Sequence, residues 1–261
     1  MWGGELLVGD LHNFQRVGHL RPVALPGGDR AAREPWRMAC AWLAAAGADD
    51  AAARLRTRLA REGTVPGGPA AQLRVRRAGD AGVPPSTWDA VAALARTPSC
   101  PRTTSAGRLF DAVAALAGIR TTTTYEGQAA AELEAVAARD PGTVSDAYPL
   151  PLDDAGALVL DARTTIQAVA RDVARGVPAQ RIVARFHRAL AYALADACAR
   201  LAEQHGLDTV ALGGGVWVNR LLLELTTSAL EARGLRVLVP QQLPPGDGGL
   251  AYGQAAIAAA S

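Results

Sequence analysis

The sequence predicts an α/β fold with a large helical middle section and a parallel βαβ unit near its carboxy-terminal end. Two short apolar runs, 209–212 and 235–239, are typical of buried strands, and a helical run over 221–232 lies between them. Each strand leads into a glycine-rich loop, 213–215 and 244–249 respectively. Because polar ligands bind in open α/β sheets beyond the carboxyl ends of the strands, these two loops predict a nucleotide site.

The hydrophobic pattern also predicts the elements that surround this unit. The runs 5–9 and 14–20 are expected to pair as a hairpin, and the β-branched run 121–125 is expected to be extended. Ser86 is a candidate N-cap for the helix that follows it, and 62–82, rich in Gly, Pro and Arg, is expected to be loop. Predicted helices cover 36–46, 51–61, 88–96, 107–117, 128–138, 164–175, 178–205 and 250–259.

Composition and charge are those of a globular protein. The 261 residues are 49% hydrophobic and 20% charged, which allows a core in one large domain or two lobes. The net charge is +2, and Arg supplies every basic residue without forming a basic stripe, so nucleic acid is not a predicted partner. No apolar run approaches ~18 residues, so no membrane partner is predicted either. Cys40, Cys100 and Cys198 are scattered, which predicts reduced thiols and a cytoplasmic protein.

The two glycine-rich loops contain residues with more than one possible role. Gly213, Gly214 and Gly215 would let the backbone approach a phosphate, and free N–H groups at the following helix start would attract an anion. The same glycines could simply form a tight strand-to-helix turn. Asn219 could donate a hydrogen bond to a ribose or a base, or cap the helix that it precedes.

Four other polar residues are candidates on position alone. Asp247 is either an N-cap for the last helix or a metal or ribose ligand. Glu126 is either an acidic residue well placed at a helix start or an active-site carboxylate. Asp111 follows the apolar-face residue Phe110, so we expect it to be a partly exposed surface charge. His187 on the predicted 178–205 helix is expected to be structural.

Seven sequence blocks resemble the carboxy-terminal region of the hydrogenase-maturation carbamoyltransferase HypF family, in that family's order and over nearly the whole chain. The blocks are Trp2-Gly3-Gly4-Glu5, Arg33-Glu34-Pro35-Trp36-Arg37-Met38, Gly107-Arg108-Leu109-Phe110-Asp111-Ala112-Val113, Tyr125-Glu126-Gly127-Gln128-Ala129-Ala130, Arg185-Phe186-His187, Gly214-Gly215-Val216 with Asn219-Arg220, and Pro244-Pro245 with Asp247-Gly248-Gly249-Leu250-Ala251.

The resemblance implies a fold of the actin-like ATPase, sugar kinase and Hsp70 superfamily, which consists of paired ribonuclease-H-like lobes. The region is also similar to the enzyme that makes threonylcarbamoyl-adenosine in tRNA. On this basis 1–25 is a remnant hairpin of an incomplete first lobe, and 26–105 is a helical and loop insertion. Residues 106–261 would be a helical linker followed by the C-terminal ribonuclease-H-like lobe.

The resemblance further implies carbamoyl transfer. Enzymes of this family are ATP-binding, use carbamoyl phosphate in their full-length form, and hold carbamoyl-adenylate. They pass the carbamoyl group to the C-terminal cysteine of a HypE-type maturation partner, where it becomes the cyanide ligand of the nickel–iron site. By match of motif, nucleotide-binding residues are Asp111, Gly127, Gly214, Gly215 and Asn219. Asp247 would be a catalytic ligand of a divalent metal, Fe or Zn, and Glu126 a catalytic residue that orients the carbamoyl group or deprotonates the acceptor.

The sequence departs from the family pattern at several points. Two metal-binding histidines and an Asp-Gly-Thr-Gly loop precede Trp-Gly-Gly-Glu in the family, whereas this chain begins at Trp2 after Met1. Gly213 stands where the family commonly has Ser, and Gly246 where it often has Asn. We therefore expect a truncated portion of a larger enzyme, with an exposed strand edge, weak nucleotide binding and little activity alone.

Other functions are compatible with the same residues. One alternative is an O-carbamoyltransferase that acts on a small-molecule hydroxyl. Another is a non-catalytic remnant that binds only a nucleotide or a partner protein. A sugar or acetate kinase is less favoured, because the 125–130 block is not a kinase signature.

Overall fold

The predicted helices, and the predicted strands 5–9, 14–20, 209–212 and 235–239, occur in the predicted order along the chain. A computed structural model describes residues 2–62, 82–139, 146–154 and 156–260. The strands are β1 (Glu5–Gly9), β2 (Phe14–Leu20), β3 (Val23–Ala24), β4 (Arg102–Thr103), β5 (Leu152–Asp154), β6 (Leu158–Leu160), β7 (Thr209–Ala211) and β8 (Arg236–Leu238). The helices are α1 (Asp29–Arg33), α2 (Pro35–Ala45), α3 (Asp49–Glu62), α4 (Pro85–Arg96), α5 (Ala106–Leu116), α6 (Gln128–Ala137), α7 (Arg163–Ala174), α8 (Ala179–His205), α9 (Arg220–Glu231) and α10 (Leu250–Ala260).

The larger hydrophobic core is centred on α5. This helix packs against α2, α6 and α7, so its residues are buried on every side rather than on one face. Phe110 of α5 is fully buried and meets the ring of Phe186 on α8 edge to face, with 5.0 Å between the ring centroids. Such aromatic pairs add to the stability gained from area burial alone.

The predicted hairpin is confirmed. Strands β1 and β2 pair antiparallel, with a register shift between Leu6 and Leu7. Strand β2 continues into a parallel pair with β6, which pairs antiparallel with β5, so the sheet order is β1-β2-β6-β5. In the part of the chain that is described, β1 therefore lies at a sheet edge. Three apolar residues of the hairpin are exposed: Leu7 in β1, Leu11 in the turn and Phe14 in β2.

The carboxy-terminal βαβ unit is also confirmed. Strands β7 and β8 are parallel, with Thr209 paired to Arg236 and Ala211 to Leu238, and α9 connects them. A second, smaller core includes Leu230 of α9 and Leu235 before β8. The parallel pairing places the ends of both strands, and the loops that follow them, at one edge.

Two local predictions are wrong. Ser86 is not an N-cap: α4 begins at Pro85, whose fixed φ suits the first helical position, and Pro84 precedes it as the cap residue. The run 121–125 forms no strand. Its backbone is held by α1 instead, since the Thr123 N–H donates to the Arg33 carbonyl (2.8 Å) and the Thr123 hydroxyl to the Ala32 carbonyl (3.1 Å).

Three further findings concern the sequence-based expectations. Cys40, Cys100 and Cys198 are all free thiols. Over the described ranges, no helix has the length and apolar character needed to cross a membrane. Of the predicted loop 62–82, residues 63–81 lie outside the described part of the chain.

Candidate functional site

The two glycine-rich loops touch each other. The Gly214 N–H donates to the Pro245 carbonyl (2.6 Å), which ties the loop after β7 to the loop after β8. A Cβ atom added at Gly246 would lie 3.2 Å from the Gly215 Cα, a closer approach than most side chains make. Gly213, Gly214 and Gly215 are exposed, so a ligand can reach the backbone at the junction of the two loops.

Two of the amide groups at the start of α9 are not open to an anion, contrary to the sequence-based expectation. The Leu222 N–H donates to the Asn219 Oδ1 atom (2.9 Å), and the Leu221 N–H donates to Glu134 Oε1 of α6 (3.1 Å). The side chains of Asn219 and Glu134 thus accept hydrogen bonds from two amides that the helix itself leaves without an acceptor. A 3-10 turn begins earlier, at Gly215, and the first N–H groups of such a turn have no acceptor within it. The amides of Gly215 and Val216 are therefore open to an anion.

Asn219 is confirmed as the N-cap of α9, and both polar atoms of its side-chain amide make hydrogen bonds. Its Oδ1 atom accepts from Leu222, and its Nδ2 atom lies 3.1 Å from His187 Nε2 on α8. Both residues are buried. The cap accounts for the position of Asn219, and its contact with a nucleotide stays a prediction.

His187 is buried completely, as the structural interpretation required. Its Nδ1 atom lies 2.7 Å from the carbonyl oxygen of Val183 one turn earlier. Its ring meets that of Phe110 edge to face at 5.3 Å between centroids. Burial lowers the pKa of His187 to about 4, although the hydrogen bond to Val183 acts in the opposite direction. The ring is therefore neutral at physiological pH.

Asp111 is buried, so the prediction of a partly exposed surface charge is wrong. The reason is that α5 is enclosed by other helices and has no solvent face at this position. Arg108 Nη1 lies 2.7 Å from Asp111 Oδ2, but the angles fall outside hydrogen-bond geometry, so both atoms keep unused hydrogen-bonding capacity within the described structure. Burial raises the pKa of Asp111 to about 7, the charge of Arg108 lowers it, and that of Glu126 raises it.

Glu126 and Gly127 directly precede α6. Gly127 is the N-cap residue and has a left-handed conformation (φ 79°), which a residue with a side chain rarely adopts. Glu126 is exposed, and its carboxylate makes no hydrogen bond or ion pair to any residue in the described ranges, while its charge still acts on Asp111. It is therefore free to meet a ligand.

Asp247 is exposed and is not an N-cap, contrary to one of its two interpretations. It is the first residue of a 3-10 turn whose cap residue is Gly246, and α10 begins three residues later at Leu250. No group of three or more His, Cys, Asp or Glu side chains suited to a metal occurs among the residues that the structure describes. A single exposed carboxylate does not hold a divalent metal, so these residues alone do not fit the metal that the family resemblance implies.

Two residues that contact parts of the candidate site were not predicted from the sequence. Arg108, the partner of Asp111, lies three residues before it on one helix face, a spacing at which ion pairs form, so the sequence did contain a signal. Glu134 bonds to Leu221 across 87 residues, and no local pattern in the sequence indicates that contact.

The whole chain matches a known kind of domain. A family model described as "Carbamoyltransferase, Kae1-like Domain, second subdomain" matches residues 1–254. The family match and the fold thus define a carbamoyltransferase domain of the Kae1-like, actin-like class. Within this class, the chain belongs to the HypF carbamoyltransferase family.

Individual relatives agree with this assignment. The chain is 42% identical over 258 residues to carbamoyltransferase HypF of Rhizobium leguminosarum bv. viciae, and this alignment covers 98% of the chain and 30% of the relative. It is 40% identical over 265 residues to a carbamoyltransferase HypF homolog of Cupriavidus necator, covering 99% of the chain and 61% of the relative. The chain therefore spans only part of the relatives that it matches.

Solved structures give the same result for the fold. A crystal structure of full-length HypF in the phosphate- and nucleotide-bound form superposes with a TM-score of 0.79 at 28% identity, covering 98% of this chain and 30% of that one. HypF of T. kodakarensis superposes with a TM-score of 0.78 at 26% identity, over 97% of this chain and 31% of that one.

Proposed function

We propose that this chain holds the adenylate of carbamoyl-adenylate and takes part in carbamoyl transfer to a cysteine thiol. The observation that carries the proposal is the contact between the two glycine-rich loops, made by the hydrogen bond from Gly214 to Pro245, beside the capped start of α9. In support, a HypF structure with the same fold is described as phosphate- and nucleotide-bound. Exposed backbone amides of this kind suit a phosphate.

Each predicted residue has a separate role in binding. Gly214 and Gly215 let the phosphate approach the open amides of Gly215 and Val216. By match of motif, the Asp111 carboxyl group accepts from the ribose hydroxyls. Gly127 completes the nucleotide contacts through its backbone, and Asn219 through the second N–H of its Nδ2 atom, since the first donates to His187.

The proposed reaction is acyl transfer from phosphate oxygen to sulfur. The acceptor is the C-terminal cysteine of a HypE-type hydrogenase maturation partner. Its sulfur bonds to the carbamoyl carbon, the bond from that carbon to the adenylate phosphate oxygen breaks, and AMP leaves. Glu126, exposed and without a partner in the described structure, either takes the thiol proton or orients the carbamoyl group.

The role of Asp247 as a ligand of Fe or Zn stays a prediction. Because no second ligand accompanies it in the described part of this chain, no step of the reaction is assigned to a metal. ATP and carbamoyl phosphate, which the family resemblance implies for the full-length enzyme, form the adenylate before the carbamoyl group is transferred.

Two experiments test the proposal. Titration calorimetry with AMP is expected to show weak but saturable binding that adenosine only partly reproduces. Chemically prepared carbamoyl-adenylate is then offered to a partner protein that ends in cysteine, to its Cys→Ser variant, and to small sugar alcohols. Slow carbamoylation of the cysteine form alone is the expected result. Preferential carbamoylation of the sugars would favour the O-carbamoyltransferase alternative, and an absence of any AMP binding would refute the nucleotide site.

A further inference from the structure

Three buried side chains in contact with one another connect the ribose and phosphate parts of the proposed nucleotide site: Phe110, His187 and Asn219. Asp111 follows Phe110 on α5, and the Phe110 ring contacts His187 on α8. The His187 imidazole is bonded to Asn219, which caps α9 directly after the 3-10 turn Gly215–Val218. Of these three side chains, His187 contacts both of the others: Phe110, next to Asp111, and Asn219, next to the turn.

The hydrogen bonds fix the state of the His187 ring. Its Nδ1 atom faces the Val183 carbonyl, which can only accept, so Nδ1 carries the proton. Since the ring is neutral, Nε2 is then an acceptor, and the Asn219 Nδ2 amide donates to it (3.1 Å). The Asn219 Oδ1 atom is left to accept from Leu222 N–H (2.9 Å), which is the cap bond. Every polar atom of the two side chains is used in one consistent arrangement.

We infer that His187 is a positioning residue that sets the spacing between the ribose and phosphate parts of the site by holding Asn219. The inference rests on the proposed nucleotide site. A carbonyl, an imidazole and an amide that satisfy one another in a dry interior have a single favourable arrangement, because breaking any bond leaves a buried polar group unpaired. Asn219 also immediately follows the turn that carries the open amides, so its position determines where those amides point.

Matched variants separate positioning from general loss of stability. His187→Leu removes the acceptor for Asn219, and His187→Gln keeps one at similar reach. Leu43→Ala, in the fully buried part of α2, is the control for a core defect elsewhere. All variants are measured well below their midpoints of thermal unfolding.

The readout is the ratio between the dissociation constants of adenosine and AMP, obtained by NMR titration. In His187→Leu we expect the AMP affinity to fall about tenfold, the effect of one lost buried hydrogen bond. Adenosine, which lacks the phosphate, should lose clearly less affinity than AMP does, and His187→Gln should restore most of the ratio. Equal weakening of both ligands, or the same ratio change in Leu43→Ala, would show that His187 acts only on stability and would overturn the inference.

A second measurement needs no ligand and keeps the two proposals distinguishable. Long-range ¹⁵N–¹H NMR spectra of the wild-type protein should show His187 protonated at Nδ1. The backbone resonances of Gly213–Gly215 should shift in His187→Leu but not in Leu43→Ala. An Nε2-protonated ring, or unshifted glycine resonances, would overturn the positioning role even if AMP binds. Failure of wild type to bind AMP, with both spectra as expected, would refute only the nucleotide site.

Discussion

Two groups of residues in the candidate site differ in burial. One group is almost fully buried: Phe110, Asp111, His187 and Asn219. The other, the glycine-rich loops 213–215 and 244–249, lies largely in solvent. We name these the buried side and the loop side of the candidate site. The buried side belongs to the larger core and is held by side-chain bonds between helices. The loop side is held by backbone contacts near the smaller core. The difference implies that the buried side controls stability and that the loop side controls ligand access.

Removal of Phe110 should give the largest effect on stability. Phe110→Ala leaves a cavity between the Phe186 and His187 rings, so we expect a loss of about 3–5 kcal/mol in the free energy of unfolding. The exposed control is Val218→Ala, three residues after the 213–215 loop, which truncates a residue with 71% exposure and should change stability by less than about 0.5 kcal/mol. Urea denaturation of both variants measures the contrast. Similar losses in the two would contradict the division into two sides.

Asp111 should make stability fall as pH rises. Its pKa is about 7 in the folded protein against an ordinary value of 3.8, so the native state holds a proton that the unfolded chain releases. The stabilisation is complete below pH 3.8 and is lost progressively up to about pH 7. Asp111→Asn lacks this dependence. From pH 5 to pH 8, we expect its stability relative to wild type to increase by about 2 kcal/mol. A constant difference across this interval would show that the carboxyl group is already ionised at pH 5.

His187 should have the opposite pH dependence. Its pKa falls from 6.5 to about 4 on folding, so the unfolded chain binds a proton that the native state excludes. Its contribution is complete above about pH 6.5 and is lost as pH falls towards 4. Between pH 7.5 and pH 5, wild type should lose about 2 kcal/mol more than His187→Gln does. Guanidinium unfolding at the two pH values tests this, and a parallel decline in both proteins would place the titration elsewhere.

The contrast between the two sides also explains what the sequence could predict. Strands β7 and β8, the intervening helix and the paired loops were correctly predicted, because they depend on local periodicity and glycine punctuation. The burial of Asp111 was not, since it depends on how many helices surround α5 rather than on the pattern within α5. The bond from His187 to Asn219 spans 32 residues and was equally invisible to local pattern.

Two neighbouring glycines on the loop side should respond differently to a methyl group. Gly214 has a φ of 105°, which L residues rarely adopt, so Gly214→Ala should cost about 1–3 kcal/mol in stability. Gly215 has no such constraint, and a Cβ there would meet nothing within 4 Å. Gly215→Ala should therefore leave stability within about 0.5 kcal/mol while weakening AMP binding, because the methyl group occupies the phosphate approach. Thermal unfolding and NMR titration distinguish the two, and unchanged AMP affinity in Gly215→Ala would move the phosphate away from this loop.

The smallest expected effect on stability comes from adding a hydroxyl group at Gly213. A Cβ at this position meets no atom within 4 Å, and its φ is not in the left-handed region, so Gly213→Ser should fold as wild type does. The added hydroxyl can donate to a bound phosphate, which predicts an AMP affinity about three- to tenfold higher, as for one hydrogen bond to a charged group in a wet site. Adenosine, without a phosphate, provides the control and should bind as before. If Gly213→Ser improves adenosine and AMP equally, the hydroxyl acts on the loop rather than on the phosphate. A gain confined to AMP would locate the phosphate at the loop side without disturbing the buried side at all.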